Sequence, residues 1–463
     1  MQCSIQEYLN SLKDKNVAVL GIGISNLPLI HMLRKAGIRV TACDKRDRTA
    51  FGPQAEELEA SGVCLRLGTD YLDHLEGQDV IFRTPGMRPD LPQLSAAVKR
   101  GSVLTSEMEV FFQVCPCPII GITGSDGKTT TTTIIAELLK SGGYRVHLGG
   151  NIGNPLLPEA GDITPADYAV VELSSFQLMT MDLSPHIAVV TNLAPNHLDV
   201  HKSMEEYIAA KKNLFLRQRT GDRVILNTDN DITRSFVSEA KGAVTLFSRK
   251  EEPEGSAVFL RDNTIWVRDG EGERAVLSRE GILLPGDHNV ENYMAAIAAV
   301  NGLVKDETIR TFAASFGGVE HRIELVRTLN GVRYYNDSIA SSPTRTIAGL
   351  RSFSEKVILI AGGYDKHIPF EALGPEVLKR VRRLILTGDT ASKIRTAVES
   401  APGFRESGLP IEEYDDFRQA VEAARDAASE GDVVILSPAC ASFDRFKNFM
   451  ERGKAFKDIV QGF

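Results

Sequence analysis

Cysteine is scarce in this chain and poorly spaced for the usual uses of cysteine. Its 463 residues include six, at Cys3, Cys43, Cys64, Cys115, Cys117 and Cys440. No two form a C-x-x-C pair, and Cys115-Pro-Cys117 is too tight for a zinc knuckle. Reduced, unpaired thiols are expected. No apolar run approaches the roughly 20 residues a membrane-spanning helix needs, and Met1 to Asn10 are polar. These features predict a soluble, cytoplasmic protein with no membrane partner. An excess of basic residues is also missing. The net charge of −8 argues against a general nucleic-acid or membrane-surface role, while leaving local anion sites open. There is no short-period repeat and no low-complexity tract. What remains is ordinary globular composition, 43% hydrophobic and 25% charged, enough core for about three domains of some 150 residues.

The most informative stretch is Gly121-Ile122-Thr123-Gly124-Ser125-Asp126-Gly127-Lys128-Thr129-Thr130. The apolar pair Ile119-Ile120 precedes it and a helical run, Thr131 to Lys140, follows. A strand, glycine loop and helix in this order turn backbone N–H groups and the positive end of the helix dipole toward one point. Lys128 then supplies a mobile charge for terminal phosphates, and Thr129 a hydroxyl for Mg²⁺. The spacing differs from the common phosphate loop, since the position five before Gly127 is Ile122. The loop is therefore a variant.

Upstream, Val17 to Leu20, Gly21-Ile22-Gly23, the helical Leu27 to Ala36 and the strand Ile38 to Ala42 form a βαβ unit. The third glycine of a dinucleotide fingerprint is replaced by Asn26, so NAD is not required. Asp44, Lys45 and Arg46 follow the second strand and could hold a nucleotide. Val80 to Phe82 is a further strand, ended by Arg83-Thr84-Pro85-Gly86. Cys-Pro-Cys-Pro makes a stiff link after Val114, closing a first domain over residues 1–114.

Downstream of the phosphate loop, Asp167 to Leu173 and Ala188 to Thr191 read as strands. They carry Glu172 and His197 at or beyond their carboxyl ends, where open α/β sheets bind ligands. A carboxylate and an imidazole there could hold a divalent metal beside the phosphates. Lys211 and Lys212 lie on a probable helix and by pattern face solvent. Val224 to Asn227 and Ala257 to Arg268 are strand-like. Gly286 to Asn292 precedes a helix from Tyr293 to Val300, with its Asn and His side chains as caps or base contacts. The boundary near Gly317-Gly318 gives a second domain over 115–318 and a third over 319–463. In the third, Val332 to Tyr335, Val357 to Ile360, Leu384 to Leu386 and Val433 to Leu436 end in polar or glycine turns, with helices between, as from Asp416 to Ala428. This is a second alternating β/α sheet. Arg345, Lys366 and Arg445 add cations to it.

Several motifs occur together and in order: the phosphate loop, Glu172-Leu-Ser-Ser-Phe-Gln-Leu178, Asn192-x-x-x-x-His197-Leu-Asp199, His288-Asn289-x-x-Asn292, Glu320-His-Arg322 and Tyr335-Asn-Asp-Ser338. In them the chain resembles the Mur ligases across nearly its whole length. Leu436 to Phe449, with Ser437-Pro-Ala-Cys-Ala-Ser442, resembles the branch that adds D-glutamate. The resemblance implies three α/β domains: a Rossmann-like N-terminal domain for the UDP-sugar, a central P-loop ATPase-like domain for ATP and Mg²⁺, and a Rossmann-like C-terminal domain for the amino acid. It implies a monomer that phosphorylates the carboxylate of UDP-N-acetylmuramoyl-L-alanine with ATP and lets the amine of D-glutamate displace phosphate. That chemistry suits the residues, since donor and acceptor are both anionic and need cations around them.

By the same resemblance, Gly124, Ser125, Asp126, Gly127, Lys128, Thr129, Thr130, Asn292, Arg322 and Asp337 contact ATP. Thr129, Glu172, His197 and Lys211, the last as a carbamate, serve two Mg²⁺ ions. Ile24, Ser25, Lys45, Arg46, Thr84 and Asn151 meet the UDP-substrate, and Lys366, Ser442, Phe443 and Phe449 meet D-glutamate. Lys128, His197 and Lys211 form the implied catalytic set. Two departures stand out. Ile339 replaces a lysine often found after Asn-Asp-Ser, leaving Lys366 and Arg345 to carry that charge. Lys45 stands where a threonine can occur. A ligase of the same superfamily with another amino acid or a folate, a nucleotide sensor, and a nucleotide-sugar oxidoreductase are the competing readings.

Overall fold

The structure is a computed structural model that describes residues 3–195, 200–366 and 368–463. The chain divides into two compact units, one of residues 1–280 and 290–312, the other of 281–289 and 313–463. Among the described residues there are three sheets.

The first unit holds two of them. One comprises β1 (Asn16–Leu20), β2 (Arg39–Asp44), β3 (Cys64–Leu67), β4 (Val80–Phe82) and β5 (Val103–Thr105), in spatial order 3-2-1-4-5 and parallel throughout. The other comprises β6 (Ile119–Thr123), β7 (Val146–Gly150), β8 (Tyr168–Glu172), β9 (Ile187–Val190), β10 (Arg223–Asn227), β11 (Ala243–Ser248), β12 (Ala257–Arg261), β13 (Thr264–Asp269) and β14 (Gly272–Ser278), in order 14-13-12-11-10-9-6-8-7. Its strands are parallel except for the β12–β13–β14 meander. Ala257 to Arg268, expected as one strand-like segment, is a hairpin. Asp262 and Asn263 take φ of 47° and 58°, the left-handed pair that a tight two-residue turn needs and that Asp and Asn tolerate.

One apolar core runs from the first sheet into the second, through Val19, Leu29, Phe111, Ile119, Leu157 and Ala188. Parallel strands covered on both faces carry unbroken apolar runs, as β6 does, with every residue buried.

The second unit contains β15 (Glu324–Leu329), β16 (Val332–Asn336), β17 (Val357–Ala361), β18 (Val381–Leu386), β19 (Ile411–Glu413) and β20 (Val433–Leu436), in order 15-16-20-17-18-19. Only the β15–β16 pair is antiparallel. Apolar clusters fill both faces, around Leu359 and Leu384 on one and Ile360 and Phe456 on the other. The helix expected from Tyr293 begins earlier and spans Asp287–Val300. His288, Asn289 and Asn292 therefore lie in its first turns rather than in a preceding loop. Gly286, at φ 96°, makes the sharp entry.

Candidate active site: a phosphate loop beside a bare carboxylate

The phosphate loop joins β6 to the helix Lys128–Ser141. Gly127 has φ 76°, and a Cβ there would collide with Asn292 Oδ1; Gly124, at φ 153°, would meet Thr191 Oγ1. Only glycine suits either position. The outer wall of the loop is braced from the stretch after β9. Ser125 N donates to Asn192 O at 2.9 Å, Asp126 N to Asn192 Oδ1 at 3.0 Å, and Thr191 Oγ1 to Asp126 O at 2.6 Å. Ser125 Oγ also lies 2.9 Å from Tyr207 OH. Thr131 Oγ1 donates to Asn292 Oδ1 at 3.2 Å. The first N–H groups of the helix have no partner inside it and point at the loop mouth. Lys128 Nζ rests on the loop carbonyls of Gly124 and Ser125, each at 2.9 Å.

Glu172 ends β8, paired with Ile122 of β6. Its carboxylate is 1% exposed. Oε1 accepts from Asn151 Nδ2 at 2.8 Å, while Oε2 is buried with no hydrogen-bond partner. A carboxyl oxygen left without a partner in a protein interior costs a few kcal/mol, and a cation is one natural partner for it. Asn151 thus holds the carboxylate, and its N–H caps the Glu172 carbonyl at 2.8 Å.

Lys211 does not face solvent. It lies on the helix Met204–Lys212, is 2% exposed, and donates to Thr123 Oγ1 at 2.9 Å and Gly124 O at 3.0 Å. Burial, reinforced by the nearby Lys128 charge and opposed by Glu172, holds its ammonium pKa well below the usual lysine value. An enclosed amine whose charged form is disfavoured thus lies at the base of the phosphate loop. The tertiary fold overrides the helix pattern because the helix packs against β6 at its carboxyl end. His197 lies outside the described residues. Among the described residues no group of three His, Cys, Asp or Glu side chains gathers as a metal cage. Glu172, with its bare oxygen, and the helix-start hydroxyl of Thr129 are the described oxygen donors that could serve a divalent ion.

At the first glycine turn, Ile22 N donates to Asp44 Oδ2 at 2.8 Å, and Asn26 Nδ2 reaches Leu20 O at 2.9 Å. The asparagine in place of a third glycine thus ties the helix entry to β1. Arg46 bonds Asp44 and Ile22 O, and its guanidinium lies 4.3 Å from the Phe51 ring centre. Asp44 is buried and spent inside the protein. Ile24 is 86% exposed, Lys45 is exposed, and Ser25 stands at the cap of helix Asn26–Lys35 without a capping bond. Thr84 packs on Gly21.

In the second unit the Glu320-His-Arg322 and Tyr335-Asn-Asp-Ser338 motifs come together. Asn336 Nδ2 lies 2.9 Å from His321 Nδ1 and 3.1 Å from Glu324 Oε2, and Ile323 N donates to Asp337 Oδ1 at 3.3 Å. His321 and Ile323 both take positive φ, 64° and 44°, a real strain for a β-branched residue. Asp337 is fully enclosed and bonded by Ser437 Oγ at 2.7 Å; burial pushes its carboxyl up to about 7. Arg345 Nη1 donates to Ile339 O at 3.3 Å, so a guanidinium stands beside the position of the replaced lysine. Ser442 is buried, Lys366 exposed and Phe443 61% exposed, its ring edge-on to Tyr364. Phe449 starts the last helix, Phe449–Gln461, with its ring edge-on to His321.

Sequence reasoning missed Arg452, which is 2% exposed. Its guanidinium binds Ser338 O and Oγ, Cys440 O and Ala441 O at 2.8–3.1 Å, fixing the Asp337-Ser338 loop against the loop that carries Ser442. A helix arginine looks like a surface charge; only the three carbonyls converging on it reveal otherwise.

Residues 15–106 match the MurD-like N-terminal domain of Mur ligases, 122–300 the Mur ligase middle domain, and 321–440 the Mur ligase glutamate ligase domain. The chain belongs to the Mur ligase family. It is 55% identical over 462 residues to the UDP-N-acetylmuramoylalanine–D-glutamate ligase of Acetivibrio thermocellus, and 52% identical over 460 residues to that of Clostridium novyi; each alignment covers 99% of both chains. The solved UDP-N-acetylmuramate–alanine ligase of Thermotoga maritima has the same fold, with TM-score 0.57 at 16% identity over 97% of this chain and 99% of the other. A UDP-N-acetylmuramoyl-L-alanyl-D-glutamate–2,6-diaminopimelate ligase matches at TM-score 0.56 and 19% identity over 92% of this chain and 93% of the other.

Proposed function

We propose that this protein joins D-glutamate to UDP-N-acetylmuramoyl-L-alanine at the expense of ATP, through an acyl phosphate, in the cytoplasmic synthesis of peptidoglycan precursors. The observation that carries the chemistry is the buried Glu172 oxygen without a partner, at the strand end next to the phosphate loop. A binding module has no use for it.

We place the UDP-sugar in residues 1–114, ATP in 115–318 and the amino acid in 319–463, on a single chain. The loop N–H groups and Lys128 hold and orient the ATP phosphates, and Lys128 leaves its two loop carbonyls to do so. Thr129 and Glu172 would hold Mg²⁺, which when bound neutralises charge developing on the transferred phosphoryl group. Lys211 fits the carbamate role because its amine is enclosed and burial disfavours its ammonium form, and a carbamate there would supply an anionic oxygen as a ligand for Mg²⁺. His197 is assigned beside it on sequence grounds. Asn292, Arg322 and Asp337 serve the nucleotide. Ser25, Lys45, Arg46, Thr84 and the exposed Ile24 line the UDP end, with Asn151 shared between substrate and Glu172. Lys366, Ser442, Phe443 and Phe449 take D-glutamate, with Arg345 replacing the charge absent at Ile339.

Phosphate release from ATP, Mg²⁺ and UDP-N-acetylmuramoyl-L-alanine tests this, with D-glutamate, L-glutamate, meso-diaminopimelate and L-alanine compared as acceptors. Release with D-glutamate alone is expected, raised by added bicarbonate through Lys211. Release with another acceptor moves the substrate, and none with any acceptor, bicarbonate included, overturns the ligase.

A further inference from the structure

The stretch after β4 carries two arginines whose bonds leave their own sheet. Arg83 is 1% exposed. Its Nη1 donates to Pro85 O and Met87 O, each at 3.1 Å, and its Nη2 to Phe176 O at 3.0 Å and Thr180 Oγ1 at 2.6 Å. One guanidinium therefore holds its own turn and, at the same time, the short helix Ser175–Leu178 that follows Glu172. Arg88 makes the second link. It forks onto Glu206, with Nη2 to Oε1 at 2.8 Å and Nη1 to Oε2 at 3.1 Å, and also binds Val200 O at 2.7 Å. Glu206 lies on the helix Met204–Lys212, which carries Lys211 near its end. His201 sits between the two links, with Nε2 2.8 Å from Ser175 Oγ and its ring stacked on Phe176 at 5.2 Å.

Burying a guanidinium is costly, and arginine cannot escape by losing its proton. Arg83 bears that cost in full. Arg88 is half-buried and also forks onto Asp90 of its own turn at 2.8 and 3.0 Å, yet each spends part of its fork on elements of the neighbouring sheet, which the turn does not need for its own fold. Thr84, between them in sequence, packs on Gly21 of the first glycine turn. The turn therefore touches the UDP end on one side and the phosphoryl-transfer elements on the other.

We propose that Arg83 and Arg88 are positioning residues that clamp the turn holding the UDP-sugar to the strand end carrying Glu172 and the helix carrying Lys211. The inference rests on the ligase reading. Its consequence is that the acceptor carboxylate meets the phosphoryl group in register, an alignment in which an error of about 1 Å can cost a hundredfold in rate.

The test uses the full chain, with Arg83→Met, Arg83→Lys, Arg88→Gln, Glu206→Gln and the Arg88→Gln/Glu206→Gln double variant. Turnover and calorimetric affinity for UDP-N-acetylmuramoyl-L-alanine and for ATP are measured side by side. The clamp predicts that kcat falls by about tenfold or more while both affinities change by less than about threefold. Arg83→Lys recovers part of the loss, since it restores the charge but not the fork. The double variant is no worse than either single one, because both break the same link. Should Arg83→Met fail to fold, the Arg88–Glu206 cycle decides alone. Native-like turnover in the variants, loss confined to affinity, or additive Arg88 and Glu206 effects overturns the clamp. An inactive unsubstituted protein overturns the ligase reading itself, and the clamp with it.

Discussion

Asp337 shows how much a single enclosed carboxyl can weigh. Burial pushes its carboxyl up from the ordinary aspartate range to about 7, worth roughly 4 kcal/mol. A raised folded value means that its contribution to stability is complete below about pH 4 and is lost as pH rises through 7, because the folded chain keeps a proton that the unfolded chain has released. We expect the urea midpoint of the second unit to fall between about pH 4 and 7, and Asp337→Asn to flatten that slope while keeping an acceptor for Ser437. An unchanged slope in the variant would assign the pH dependence to another group. Lys211 is shifted in the opposite sense for the same reason, burial, reinforced there by the Lys128 charge.

Among the elements, the β12–β13 hairpin depends on its two left-handed residues. Asn263 at φ 58° tolerates a backbone that costs most side chains about 1–2 kcal/mol. Asn263→Val should lose that much in urea unfolding, and Asn263→Gly little or nothing; equal stability of Val and Asn would sink the turn assignment. The hairpin also explains why a pattern of apolar residues misled the reading of Ala257 to Arg268. Both strands are apolar and β-rich, and the turn between them is only two residues long, so the polar Arg261-Asp262-Asn263-Thr264 step between them is easily read as a polar face of one strand. The helix start at Asp287 is hidden in the sequence for a related reason. His288, Asn289 and Asn292 look like loop residues, but Gly286 has already made the turn.

For the molecule as a whole, two compact units predict two calorimetric transitions. ATP with Mg²⁺ and UDP alone should both raise the transition of the unit that contains the phosphate loop, by about 2.7 kcal/mol at a hundredfold excess over Kd. Gly127→Ala, which drives a Cβ into Asn292, should abolish the ATP shift and leave the UDP shift. If UDP moved only the other transition, the placement of the sugar nucleotide in the first unit would fall.

The glycine loop, the apolar strands and the polar residues at their carboxyl ends were readable from the chain because each is a local matter. A phosphate cradle needs glycines at fixed offsets before a helix, and a buried parallel strand needs an apolar run. Order along the chain was enough to place Glu172 at a strand end and to suggest three α/β domains. The fates of individual charges were not readable. Lys211 and Arg452 sit on helices and Arg83 follows a strand, positions where charged residues normally face water. Each is buried because carbonyls from distant segments converge on it: Gly124 for Lys211, Ser338 and Cys440 for Arg452, Phe176 for Arg83. Which oxygens surround a cation depends on loops brought together by strand order and packing, and no spacing along a single chain encodes that meeting.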